Sequence, residues 1–193
     1  MANKERLKHE LEIARRIQIA SLPQKVPNID GLDISGISLP ALEVGGDFYD
    51  FLNGKANDLT IVVGDVSGKG TSAALYMSKA QGIMRTLYEF NLEPGDLLIR
   101  TNQLLYRYLE KSSFITAISA RILIDNKKMK LARAGHLPLY AYRDNSKSIE
   151  IIVPKGIGLG LKDENTFVSN LEQVEISLNS NDVFLFISDG IID

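Results

Sequence analysis

Three short acidic loops hold the residues of this chain that could do chemistry. They are Gly45-Gly46-Asp47-Phe48-Tyr49-Asp50, Gly64-Asp65-Val66-Ser67-Gly68-Lys69-Gly70 and Ser188-Asp189-Gly190. The second and third each follow an apolar run that reads as a buried strand, Leu59–Val63 and Val183–Ile187. A carboxylate set against an apolar core costs free energy unless it is paired, hydrogen-bonded or metal-bound. Brought together, three such groups would form a site for a hard divalent cation, which prefers oxygen ligands.

Each loop also has a plainer reading. Asp47 and Asp50 lie three residues apart, so in a strand their side chains point to opposite faces. Both serve one site only if the backbone bends, which the paired glycines make easy; otherwise the hexapeptide is a turn whose aspartate caps local amides. The second loop lacks the spacing of a phosphate-binding loop, because only three residues separate Gly64 from Gly68 and Gly70 follows Lys69. A carboxylate and free backbone carbonyls at a strand end suit Mg2+ or Mn2+ held with several waters, and a simple strand–helix turn is the competitor. Asp-Gly is a common turn dipeptide, so Asp189 gains its weight from the five apolar residues before it. Ala134-Gly135-His136 reads as the polar tip of a tight hairpin, where a lone histidine is expected to be a structural hydrogen-bonding residue.

Composition narrows the chemistry further. The 193 residues suit one domain with a substantial core, and 45% apolar with 24% charged residues is ordinary globular usage. There is no cysteine, which excludes disulfides, zinc–thiolate sites and thiol catalysis and fits a reducing cytoplasm. With only His9 and His136 present, metal chemistry falls to the acidic loops. A net charge of −2 gives no case for nucleic acid. No apolar run is long enough for a membrane segment, and the N-terminus is polar. A cytoplasmic location is expected.

The elements that must position these loops can be read in order. Residues 3–21 predict a helix: Leu7, Leu11, Ala14 and Gln18 follow heptad-like spacing, beside an apolar stripe of Ile13, Ile17 and Ala20. Leu22-Pro23 ends it. The end of a coiled coil and a helix packed on its own domain both fit. Leu32–Leu39 alternates as a half-buried strand, and Phe48–Leu52 with Leu59–Val63 forms a hairpin around Asn53-Gly54. A mostly apolar helix runs from beyond Gly70 to near Asn91, and Pro94 opens a second through Leu109. Strands return at Phe114–Ile124, Met129–Ala134, Leu137–Tyr142, Ile149–Val153 and Val174–Leu178. The expected class is α+β, with helices packed on antiparallel sheets. Residues 1–22 form an N-terminal helical linker and 23–193 a single domain.

In this order and spacing, Gly-Gly-Asp-Phe-Tyr-Asp, Gly-Asp-Val-Ser-Gly-Lys-Gly, Ala-Gly-His-Leu-Pro and Ser-Asp-Gly resemble the bacterial SpoIIE-like branch of the metal-dependent, protein phosphatase 2C-like serine/threonine phosphatases. The resemblance runs from about Glu12 to Asp193 and includes the helix Glu12–Gln18 with Leu22-Pro23, and Gly158-Leu159-Gly160. It implies an αββα sandwich of two mainly antiparallel sheets, with two Mn2+ or Mg2+ ions at one edge that activate water against a phosphate ester. Asp65 matches the carboxylate bridging both ions, Val66 the residue lending a backbone carbonyl, Asp189 a ligand of the other ion, and Asp47 the acid completing its site. Asp50 matches a supporting group behind them. The family continues past Asp-Gly with a helix, a strand and one more metal-binding aspartate, which Asp193 is not. A C-terminally truncated domain is therefore expected.

By the same resemblance the substrate is a phosphorylated anti-anti-sigma protein of the STAS type in a sigma-factor partner switch. An upstream sensor domain and a homodimer through the N-terminal helix are the implied partners. A different class of function, a non-catalytic partner-binding domain, is separated from this one by Mn2+-dependent phosphate release. A cyclic-nucleotide cyclase, suggested by Gly-Gly-Asp alone, lacks its further motifs here.

Overall fold

The structure is a computed structural model and describes residues 2–39, 43–53 and 58–191. Helix α1 (Ala2–Ser21) is followed by strands β1 (Phe48–Leu52) and β2 (Asp58–Val66), with no named element between Ser21 and Phe48 among the described residues. Helices α2 (Thr71–Tyr88) and α3 (Pro94–Tyr106) come next. Strands β3 (Ile115–Leu123), β4 (Lys128–Ala134), β5 (Leu139–Arg143) and β6 (Ser148–Ile152) follow, then the short helix α4 (Glu164–Ser169) and strands β7 (Gln173–Ser177) and β8 (Val183–Leu185). A 3-10 turn, Asp189–Ile191, ends the described chain.

Two antiparallel sheets form, in the orders β1-β2-β3-β4-β7 and β6-β5-β8. Strand alternation divides the core in two. On one face of the larger sheet Phe48, Leu52, Val62, Val66, Ala117 and Ala132 meet Met77, Met84, Leu98 and Leu105 of α2 and α3. On the opposite face Leu59, Ile118, Ala120, Met129 and Leu131 meet Leu139 of β5 and the half-buried Phe184 of β8. The architecture is α+β, as expected, with helices on one sheet and a second sheet stacked behind it.

Most strands and both long helices fall where the pattern places them, with four differences. Leu32–Leu39 is extended but joins no sheet, apart from an isolated bridge between Ile29 and Leu32. Ile34 packs against the inter-sheet core, while Ile37 and Leu39 face solvent. Ala134-Gly135-His136 is not a hairpin tip: β4 pairs with β3 and β7, β5 with β6 and β8, so the motif carries the chain from one sheet to the other. Val183–Ile187 is not a buried strand, because β8 pairs only with β5 and exposes Val183 and Leu185. Helix α4 was not anticipated; its signal is Asp163, whose side chain accepts from the Thr166 N–H at 3.1 Å as a helix cap. The β1–β2 hairpin forms in the predicted register region, and its residues 54–57 lie outside the described residues.

Candidate metal centre

The strand registers alone bring the first two acids together. β1 and β2 pair Phe48 with Gly64, so one step further out Asp47 stands opposite Asp65. By parity both side chains lie on the inter-sheet face, with Tyr49, Phe51, Ile61 and Val63. The second sheet supplies the third acid, since the chain leaving β8 turns at Asp189. One carboxylate oxygen from each of Asp47, Asp65 and Asp189 lies within 4.8 Å of the others.

Like charges placed directly opposite on paired strands repel. Asp65 registers this: burial, then the charges of Asp47 and Asp189, push its carboxyl up to about 7. Burial also raises Asp47, against hydrogen bonds from Ser188 and Asp65 that favour its charge. Asp47 Oδ1 is buried with no hydrogen-bond partner. Among the described residues, the charges acting on these two carboxyls are those of other carboxylates. Oxygen-only ligands, an orphaned buried carboxylate oxygen and repulsion relieved by a proton or a cation all fit a divalent metal.

The loop glycines explain the close approach. A Cβ on Gly46 would sit 2.7 Å from the Val66 carbonyl oxygen and 3.0 Å from Asp65 Oδ1, so this position admits only glycine. The same contact places the Val66 carbonyl at the edge of the cluster. Gly68 and Gly70 take φ of +97° and +74°, which let the chain turn from β2 into α2.

Behind Asp65, Thr116 is its register partner on β3, and Thr116 Oγ1 lies 2.8 Å from His136 Nδ1. His136 is buried, and that burial depresses its pKa to about 4. The ring is therefore neutral near pH 7 and acts as a hydrogen-bonding strut, the structural reading of this residue. Arg133 Nη1 donates to the His136 carbonyl at 2.6 Å and fixes the same crossover.

Asp50 is separate from the cluster. It lies on the helix-facing side of β1 and is buried, with Oδ2 accepting from Arg85 Nε at 2.6 Å and Gln81 Nε2 at 3.2 Å. Gln81 and Arg85 also donate to the Ser21 carbonyl at the end of α1, at 3.1 and 2.6 Å. The pair of aspartates thus serves two faces, and no bend is needed to reconcile them. Asp193 lies outside the described residues. Thr116 and Ser188 also take part: the register of β2 and β3 sets Thr116 beside Asp65, which sequence spacing does not encode, and Ser188 hydrogen-bonds Asp47.

A double antiparallel sheet, helices on one of its faces and three acids at one end define the protein phosphatase 2C-like fold. The SiaA-PP2C domain of Pseudomonas aeruginosa superposes with a TM-score of 0.73 at 22% identity, over 95% of this chain and 72% of that one. RsbX in complex with magnesium gives a TM-score of 0.56 at 16% identity, over 73% of this chain and 64% of that one. Residues 55–193 match the family described as Stage II sporulation protein E (SpoIIE), and the chain belongs to that family. It is 33% identical over 187 residues to the phosphoserine phosphatase RsbU of Bacillus subtilis (strain 168), covering 97% of this chain and 54% of that protein. The chain thus spans about half the length of this curated relative.

Proposed function

We propose that this domain is a metal-dependent serine/threonine protein phosphatase acting on a phosphorylated regulatory protein, an anti-anti-sigma factor of the STAS type in a partner-switching pathway. The observation that carries the reading is the meeting of Asp47, Asp65 and Asp189 from two different sheets within 4.8 Å. Kinship with a protein named phosphoserine phosphatase supports the reaction class.

Asp65, on β2 between β1 and β3, would hold Mn2+ or Mg2+ as the bridging ligand, and the Val66 carbonyl, Asp47 and Asp189 would complete the donor set. Such ions supply Lewis-acid stabilisation of phosphate oxygens and a water of lowered pKa. The chain's own part is to hold the donors. Without a cation Asp65 keeps its proton to about pH 7, so holding a divalent cation there would require release of that proton. Neutral His136 and Thr116 support the β3 strand beside Asp65 without adding a competing positive charge.

The test is Mn2+-dependent phosphate release from a phosphorylated STAS protein, measured for the protein and for its Asp65→Asn variant. Turnover should be lost in the variant and in chelator. Unchanged turnover in Asp65→Asn would remove the bridging assignment, and absence of any turnover in the unmodified protein would favour a binding role.

A further inference from the structure

Helix α1 lies mostly in solvent. Ile17 is 65% exposed, whereas Gln18 beside it is 7% exposed, and Gln18 is the most deeply buried of the helix's described side chains. A helix that buries a carboxamide and exposes isoleucine is not arranged for apolar packing. Burying an amide costs free energy unless both of its ends are bonded. Both are: Gln18 Nε2 donates to the Gly45 carbonyl at 2.7 Å, and Gln18 Oε1 accepts from the Gly45 N–H at 3.0 Å. Two bonds from one side chain to one residue fix the orientation of its backbone as well as its distance. Nε2 also lies 3.8 Å from Met77 Sδ, which ties the clamp to α2.

Gly45 is two residues before Asp47, and Gly46 between them packs against the Val66 carbonyl and Asp65 Oδ1. The loop that Gln18 grips is therefore the one that abuts two other donors of the cluster. We propose that Gln18 is a positioning residue of the metal centre: its carboxamide sets the Gly45–Asp47 loop against Asp65 and Val66 and thereby tunes divalent-cation affinity. This rests on the metal-binding reading above. The competing role is a plain anchor for α1, which Gln18→Met would preserve, since methionine matches glutamine in length and packs on Met77.

The experiment uses the 193-residue chain, with Mn2+ binding followed by electron paramagnetic resonance of the free ion and amide exchange of residues 43–47 measured in chelator. Gln18→Met should weaken Mn2+ binding roughly 10-fold, the scale for groups that orient metal ligands, and should speed exchange at Gly45 and Asp47 while the chain stays folded. Gln18→Glu keeps an acceptor for the Gly45 N–H and should lose less protection there. Ile17→Ala should change neither readout. Mn2+ affinity within about twofold of the unmodified chain in Gln18→Met, or an equal loss in Ile17→Ala, would overturn the proposal. If Gln18→Met does not fold, unchanged exchange in Gln18→Glu overturns it and faster exchange sustains it. If the unmodified chain binds no Mn2+, the metal reading falls by itself; unchanged exchange in Gln18→Met then overturns the clamp, and faster exchange sustains it.

Discussion

In one sheet β1 to β4 are covered on both faces, by α2 and α3 on one side and by the second sheet on the other, whereas edge strand β7 exposes Gln173, Glu175 and Ser177, and β6-β5-β8 are covered on one face only among the described residues. On the open face the registers stack two apolar rows, Ile151–Tyr140–Leu185 and Ile149–Tyr142–Val183. Ile149, Ile151, Val183 and Leu185 are each more than half exposed. The acid cluster draws Asp47 and Asp65 from the first sheet and Asp189 from the end of the second. Asp65 is thus held on β2 inside the first sheet and Asp47 one residue before its edge strand β1, while the third donor, itself exposed, is held by a three-residue edge strand and the turn after it. Local stability follows burial of apolar contacts, so the two halves of the site differ in rigidity although they share one job.

The largest expected effect tests the covered side. Leu131 on β4 is fully buried between the sheets. Leu131→Ala removes apolar contact and leaves a cavity, at a cost of about 2–5 kcal/mol, read as a lower urea midpoint. A loss under about 1 kcal/mol would mean that the inter-sheet core repacks freely and that the contrast between the sheets is smaller than their burial implies.

A second test concerns the carboxylates where the sheets meet. In chelator, Asp65 binds its proton up to about pH 7 in the folded chain, against 3.8 ordinarily. Between these values the folded state holds more protons than the unfolded one, so this group makes stability fall as pH rises from about 4 to 7. Asp65 is only partly buried, and screening reduces the size of the effect. His136 acts oppositely: its pKa of about 4 lies below 6.5, so its contribution makes stability rise with pH through that interval. The difference between the unmodified chain and Asp65→Asn isolates the first effect. Asp65→Asn should gain thermal midpoint relative to the unmodified chain as pH rises from 5 to 8, and Mn2+ should reduce that advantage. A constant difference across this range would show that Asp65 ionises normally.

Much of the first sheet was legible in the sequence because its signals are local. Glycine-flanked aspartates, the hairpin pattern before and after Asn53-Gly54, and the change of period after Gly70 all concern neighbours in the chain. The three acids could be picked out for the same reason, as carboxylates beside apolar runs. What escaped depends on partners far away. The apolar run at Val183–Ile187 looks buried by composition, yet exposure is decided by whether another layer lies over β8. Alternation at Leu32–Leu39 does not show that a sheet edge will accept the segment as a strand. The heptad spacing correctly grouped Gln18 with Leu11 and Ala14, but a partner 27 residues away gives it a role. Asp50 likewise shares a hexapeptide with Asp47, and only the sheet's two faces separate their tasks.

The smallest expected effect lies on the open face. Ile151 is 59% exposed on β6 and pairs across to Tyr140. Ile151→Thr keeps the β-branched shape that favours an extended strand while removing apolar surface already in contact with water. The change in unfolding free energy should stay within about 0.5 kcal/mol, several-fold below that of Leu131→Ala in the same buffer. Val183→Thr, in the neighbouring row, should behave alike. A loss above about 2 kcal/mol for either would mean that this face is buried in solution. The protein-concentration dependence of the midpoint then separates two causes: a midpoint that rises with concentration places a second molecule over the face, and a constant one requires cover from within the chain. Either result would make the second sheet as well supported as the first, and Asp189 would then be held as firmly as Asp47 and Asp65.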